Sequence, residues 1–62
     1  MNWSGKQVFD YTEYYASVGE QKFCIAGKGH EWDLTIWTDN QVTTYQRGSS
    51  LTSLKIVAEN LA

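Results

Sequence analysis

The stretch that decides the fold runs Gln21-Lys22-Phe23-Cys24-Ile25-Ala26, Gly27-Lys28-Gly29-His30, Glu31-Trp32-Asp33-Leu34-Thr35-Ile36-Trp37-Thr38, Asp39-Asn40, Gln41-Val42-Thr43-Thr44-Tyr45-Gln46. Its segments between turn signals are rich in β-branched and aromatic residues, which predicts three strands. Asp and Asn tolerate positive φ, so Asp39-Asn40 suits a two-residue hairpin turn. The glycines flanking Lys28 permit a second reversal. A loop at 39–40 sets Thr38 opposite Gln41, Ile36 opposite Thr43 and Leu34 opposite Tyr45. A loop at 28–29 sets Ala26 opposite Glu31, Ile25 opposite Trp32 and Phe23 opposite Leu34. Side chains alternate along a strand, so Phe23, Ile25, Trp32, Leu34, Ile36 and Tyr45 gather on one face. The other face takes Lys22, Cys24, Asp33, Thr35, Trp37, Val42, Thr44 and Gln46.

Toward the N-terminus, Ser4 and Gln7 have the spacing of a capping box, and Trp3 and Val8 that of a hydrophobic staple. Val8, Tyr11, Tyr15 and Val18 then recur at helical spacing, and Gly19 suits a helix end. The pattern predicts a helix over residues 5–17. A strand competes, because Val, Phe, Tyr and Thr favour sheet. Neither alternate row of that segment is cleanly apolar, whereas the helical row is. Toward the C-terminus, Ser49 or Ser50 caps a second helix whose stripe is Leu51, Leu54, Val57, Ala58 and Leu61. Lys55 and Glu59 are spaced to interact along its flank, and Ile56 falls off the stripe.

The expected architecture is α+β: a single small domain over 1–62 in the order α-β-β-β-α. It is a two-layer sandwich in which both helices cover one face of a three-stranded antiparallel sheet.

Composition narrows the function. A chain of 62 residues buries only about 60% of the surface its unfolded form exposes, which excludes a multidomain enzyme. Five Lys+Arg against seven Asp+Glu leave a formal net charge of -2, a poor match to phosphate neutralisation. One cysteine, Cys24, forms no intrachain disulfide and points to a reducing, cytoplasmic setting. With one histidine, His30, it falls short of the four ligands of structural zinc. No metal or other cofactor is expected. No apolar run approaches the roughly 20 residues that cross a bilayer, and Met1–Gly5 lacks the basic-then-apolar pattern of a secretory signal.

Chemistry-bearing groups are sparse. Pairing His30 with Cys24 as nucleophile sets a turn residue against a mid-strand one and supplies no orienting group. Gly27-Lys28-Gly29-His30 leads into a strand rather than a phosphate-binding helix N-terminus. Asp10 and Glu13 meet at i,i+3 only on a helix, where such pairs are ordinarily solvated. Trp37 and Val42 carry more weight. They lie opposite one another on the polar face with Thr35 and Thr44, and aromatic residues are enriched at interface cores. Tyr14 and Ile56, each off its helix's stripe, are lesser candidates.

Arg47-Gly48-Ser49-Ser50-Leu51-Thr52-Ser53-Leu54-Lys55-Ile56-Val57-Ala58 resembles the last strand-to-helix segment of double-stranded-RNA-binding domains, where a serine opens the second helix. The helix–three strands–helix order is similar as well. The resemblance implies nucleic-acid binding through lysines at the start of that helix. Those places are Leu51 and Thr52 in this chain, and only Lys55 persists. The expected function is therefore a non-enzymatic protein-interaction module: a homodimeric small acidic inhibitor or adaptor. Its partner is itself or a basic host or cellular protein, and the alternative is a degenerate double-stranded-RNA-binding-like domain.

Overall fold

Two-residue turns recur every ten residues, at Phe9-Asp10, Gly19-Glu20, Gly29-His30 and Asp39-Asn40. They fold the chain into one antiparallel meander. The computed structural model describes residues 1–62. Its elements are β1 (Ser4–Val8), β2 (Tyr11–Val18), β3 (Gln21–Lys28), β4 (Glu31–Thr38), β5 (Gln41–Gly48) and α1 (Leu51–Leu61). The sheet order is β1-β2-β3-β4-β5.

The expected α-β-β-β-α sandwich is therefore wrong in its first half. Residues 5–17 form a hairpin, so the sheet has five strands and the molecule one helix. Gln7, the far member of the apparent capping box, does other work. Gln7 Nε2 donates to the Phe9 carbonyl at 3.1 Å, and Thr12 Oγ1 donates to Gln7 Oε1 at 2.9 Å, so both fasten the turn. Strand propensity prevails across Val8, Phe9, Tyr11, Thr12, Tyr14 and Tyr15, which are mediocre helix formers. The turn itself was hard to see because Phe9, with φ of 53°, sits where Gly19 and Gly29 adopt 59°.

Two registers differ from expectation, with opposite consequences. The β3–β4 loop is Gly29-His30, so Ile25 pairs with Leu34 and Phe23 with Ile36. That moves the pairing by two residues and preserves which face each side chain takes. In the β4–β5 hairpin, Thr38 pairs with Gln41 and Trp37 with Val42, but Ile36 then pairs with Thr44 and Leu34 with Gln46. A bulge here leaves Thr43 as the extra residue, and one extra residue flips every later side chain. Tyr45 and Arg47 move to the uncovered face, and Thr44 and Gln46 to the helix side.

The bulge also brings Gly48 opposite Trp32, beneath the helix. A Cβ there would lie 3.1 Å from Leu54, so the residue lets α1 approach closely. The helix begins at Ser50, whose side chain accepts from the Ser53 amide at 3.2 Å. Leu54 and Ala58 lock onto Phe23, Ile25, Trp32, Leu34, Ile36 and Ala16, with Leu51 and Val57 at the margin. Leu61 stays half exposed. Lys55 ignores Glu59 and sets its Nζ 4.7 Å from the Tyr14 ring centroid, a cation–π contact. The body of the helix lies over β3, β4 and β5, and Lys55 reaches across to β2.

Two glycine-related positions make opposite predictions. A Cβ on Gly27 would stand 2.0 Å from the Glu31 carbonyl oxygen, so Gly27→Ala is expected to destabilise by about 2 kcal/mol or more. Phe9 is 95% exposed, so its ring contributes no burial while its backbone carries left-handed strain. Phe9→Gly is expected to leave stability unchanged or raise it by up to about 1 kcal/mol. Urea unfolding of both variants checks the pair; a clear loss for Phe9→Gly would show that the ring packs.

Candidate functional site

Because α1 covers one side, the second face of the sheet is open, and the registers place its side chains in rows across the strands. Ser4, Tyr15, Cys24, Thr35 and Tyr45 form an uncharged middle row. On one side lies a charged row, Lys6, Glu13, Ala26, Asp33 and Arg47. On the other lie Ser17, Lys22, Trp37 and Val42. Beyond the charged row, Val8 and Tyr11 face the end of the sheet that holds Lys28 and Glu31.

Of the four residues singled out from sequence, the structure brings three to this face. Trp37 and Val42 are direct cross-strand partners, and Thr35 pairs with Cys24 and Tyr45. Thr44 is turned to the helix side by the bulge. Tyr45, 60% exposed, takes its place, and Tyr15, Tyr11 and Arg47 join the face unforeseen. The signal that would have found Tyr11 and Tyr15 is the ten-residue spacing of Gly19, Gly29 and Asp39, which continued backwards puts a turn at 9–10. Nothing comparable announces the bulge. Tyr14 lies under Lys55 on the helix side, and Ile56 is exposed on α1.

The face is organised by hydrogen bonds. Tyr45 Oη donates to Asp33 Oδ1 at 2.8 Å, and Arg47 Nε donates to the same oxygen at 3.0 Å. The Arg47 guanidinium and then the Tyr45 hydroxyl hold the Asp33 carboxyl below its ordinary value. At the sheet's end, Lys28 Nζ meets Asp10 Oδ2 at 2.8 Å, which lowers the Asp10 pKa and raises that of Lys28. The Glu13 carboxylate beside it pushes the Tyr15 phenol up to about 12. Cys24, at the centre, is 8% exposed. Burial and then the Glu13 charge push its thiol up, which keeps it protonated and a weak nucleophile.

The other candidates remain apart. His30 is exposed in the β3–β4 turn, about 20 Å along the strand from Cys24. Asp10 turns to Lys28 rather than to Glu13, which lies on β2. No group of three or more His, Cys, Asp or Glu is placed to hold a metal ion, and the surface carries no pocket. No helix is long and apolar enough to cross a membrane.

The Asp33 network predicts a pH dependence. A carboxylate whose folded pKa is depressed contributes stability that is present above its unfolded value, 3.8, and lost as pH falls through the lower folded one. Asp33→Asn is therefore expected to be less stable than wild type at neutral pH, with the difference closing below that value. Thermal unfolding of both proteins between about pH 2 and pH 7 measures it; a gap independent of pH would exclude the charge as its source. No protein-family model, curated protein or solved structure matches this chain.

Proposed function

We propose that this chain is a non-enzymatic protein-interaction module that docks another protein surface on its open sheet face, as a small inhibitor or adaptor does. The observation that carries this is the corner where exposed Val42 and Tyr45 flank the half-buried Trp37. Val42 and Tyr45 are 58% and 60% exposed, on a sheet side that no element of the chain covers. Large aromatic side chains are the residues whose burial dominates binding energy. They stand on strands rather than loops, which holds their positions before a partner arrives.

The edges of the sheet support the same reading. β1 has only five residues and carries Lys6, while β5 bears the bulge and Arg47. Short strands, charge and bulges all discourage edge-to-edge pairing. Recognition is thereby directed to the face.

One observation favours a second reading, nucleic-acid binding. Four of the five cations, Lys6, Lys22, Lys28 and Arg47, share the open face with Tyr11, Tyr15, Trp37 and Tyr45. Basic residues interleaved with aromatics are the arrangement that single strands use. Glu13, Glu31 and Asp33 stand among them, however, and reduce the face to a net charge of one. A mixed-charge surface fits a folded protein better than a polyanion.

Trp37→Asp tests the face, with Ile56→Asp on the outside of α1 as control. Protein captured by the wild-type chain from extracts of its native cells is expected to persist with Ile56→Asp. It is expected to fall at least about tenfold with Trp37→Asp. Equal capture by all three proteins would remove the face from consideration. Salt-dependent binding of a labelled oligonucleotide at ~50 mM salt, abolished by Trp37→Asp, would decide for nucleic acid instead.

A further inference from the structure

Building on that docking face, we infer that its occupant is a second copy of this chain, stacked sheet on sheet with the strands reversed. The pattern of charge selects this arrangement. Two stacked copies have a two-fold axis in the plane between them, and aligned sheets leave two choices for its direction. An axis along the strands sets β1 over β5 of the other copy. Lys6 then faces Arg47, Glu13 faces Asp33, and Lys22 and Lys28 each face themselves: every charged pair repels.

An axis across the strands sets each strand over its own copy, running the other way. When it passes through the uncharged row of Ser4, Tyr15, Cys24, Thr35 and Tyr45, that row meets itself. The charged row of each copy then meets the row of Ser17, Lys22, Trp37 and Val42. Lys22 comes down over Ala26, the only small residue in the charged row, with Glu13 and Asp33 on the neighbouring strands to either side. Arg47 lies over Val42 and Asp33 over Trp37. At the strand ends Lys28 lies over Glu20, and the one approach of like charges is Glu31 over Asp39 in the turn. Lys22 has no ion-pair partner within its own chain; the two ion pairs are Lys28–Asp10 and Arg47–Asp33. Stacked sheets lie about 10 Å apart, a gap that a lysine and a carboxylate span together.

Size agrees. Five strands of up to eight residues present a face of about 19 by 26 Å. Two such faces cover about 1,000 Å², the lower bound for a specific interface. The dimer should accordingly dissociate in the micromolar range. The single chain has reason to associate, because only 9 of its 62 residues are buried and its helix covers one side alone.

Charge exchange tests the arrangement. Lys22→Glu sets a carboxylate between Glu13 and Asp33 of the other copy, and Glu13→Lys sets a lysine against Lys22. In sedimentation equilibrium the wild type is expected to move from its chain mass of 7.1 kDa to twice that with rising concentration. Each variant alone should dimerise at least about tenfold more weakly. An equimolar mixture of the two should recover dimerisation, since each altered residue then meets its complement. That recovery also shows both variants to be folded. A wild type that stays at its chain mass up to ~1 mM overturns the inference, and the Trp37→Asp capture experiment then judges the face separately. A dimer indifferent to both charge changes, or a mixture without recovery, overturns the strand-reversed arrangement. If such a dimer also survives Trp37→Asp, the copies associate through another surface, and the capture experiment alone judges the face.

Discussion

A sheet has two faces, and this chain supplies one helix to cover them. Most of its structure follows from that shortage. Leu54 and Ala58 close the core over β3 and β4, where Ile25, Leu34, Phe23 and Ile36 are removed from water almost completely. At about 1.5–3 kcal/mol for each large apolar side chain, this cluster is the main source of stability. β1 and β2 gain little from it. Only Trp3, Tyr14 and Ala16 reach the cluster from that side, and the buried Trp3 Nε1 has no acceptor. The stability of the first hairpin therefore depends on its ladder with β3, on Lys55 over Tyr14, and on the Lys28–Asp10 bridge at its turn. That bridge is largely solvated, so its contribution is small.

The uncovered face meets water by a different solution from the covered one. Rather than being uniformly polar, it sets an uncharged row between a charged row and a mixed one that holds Lys22, Trp37 and Val42. Asp33 serves as a common acceptor for Tyr45 and Arg47, so three long side chains are ordered at once. Cys24 is shielded by its cross-strand neighbours without help from the helix. The charges are also unevenly divided: the open face carries four cations and three carboxylates, and the remainder one cation and four carboxylates. The acidic balance of the whole chain thus describes the turns and helix, not the uncovered face. Net charge speaks to solubility and long-range steering; the registers determine what an approaching molecule meets at short range.

Phe9 stands outside this economy of burial. Three of the four turns use Gly or Asp-Asn at the positive-φ position, and the first uses a fully exposed phenylalanine. Gln7, Thr12, Asp10 and Lys28 together hold that turn, which is why a residue that opposes it locally is tolerated. The same substitution of Phe for a turn-former concealed the hairpin and let a helical pattern stand over residues 5–17.

The sequence by itself determined the middle of the molecule. Bulky residues alternating through 21–38 and the Asp39-Asn40 reversal dictate which side chains face inward, because alternation has a period of two and survives any two-residue change of register. Ser50 and the stripe of Leu51, Leu54, Val57 and Ala58 likewise dictate the helix. What only the tertiary structure decided is odd-numbered or non-local. The bulge beside Trp37 is a single extra residue, and its justification lies in Gly48 meeting Leu54 across the core. The first hairpin combines strand propensity with the edge that β3 offers β2, and that pairing is a gain no local pattern displays. Both decisions fall on the open face: the one delivered Tyr45 and Arg47 to it, and the other Tyr11 and Tyr15.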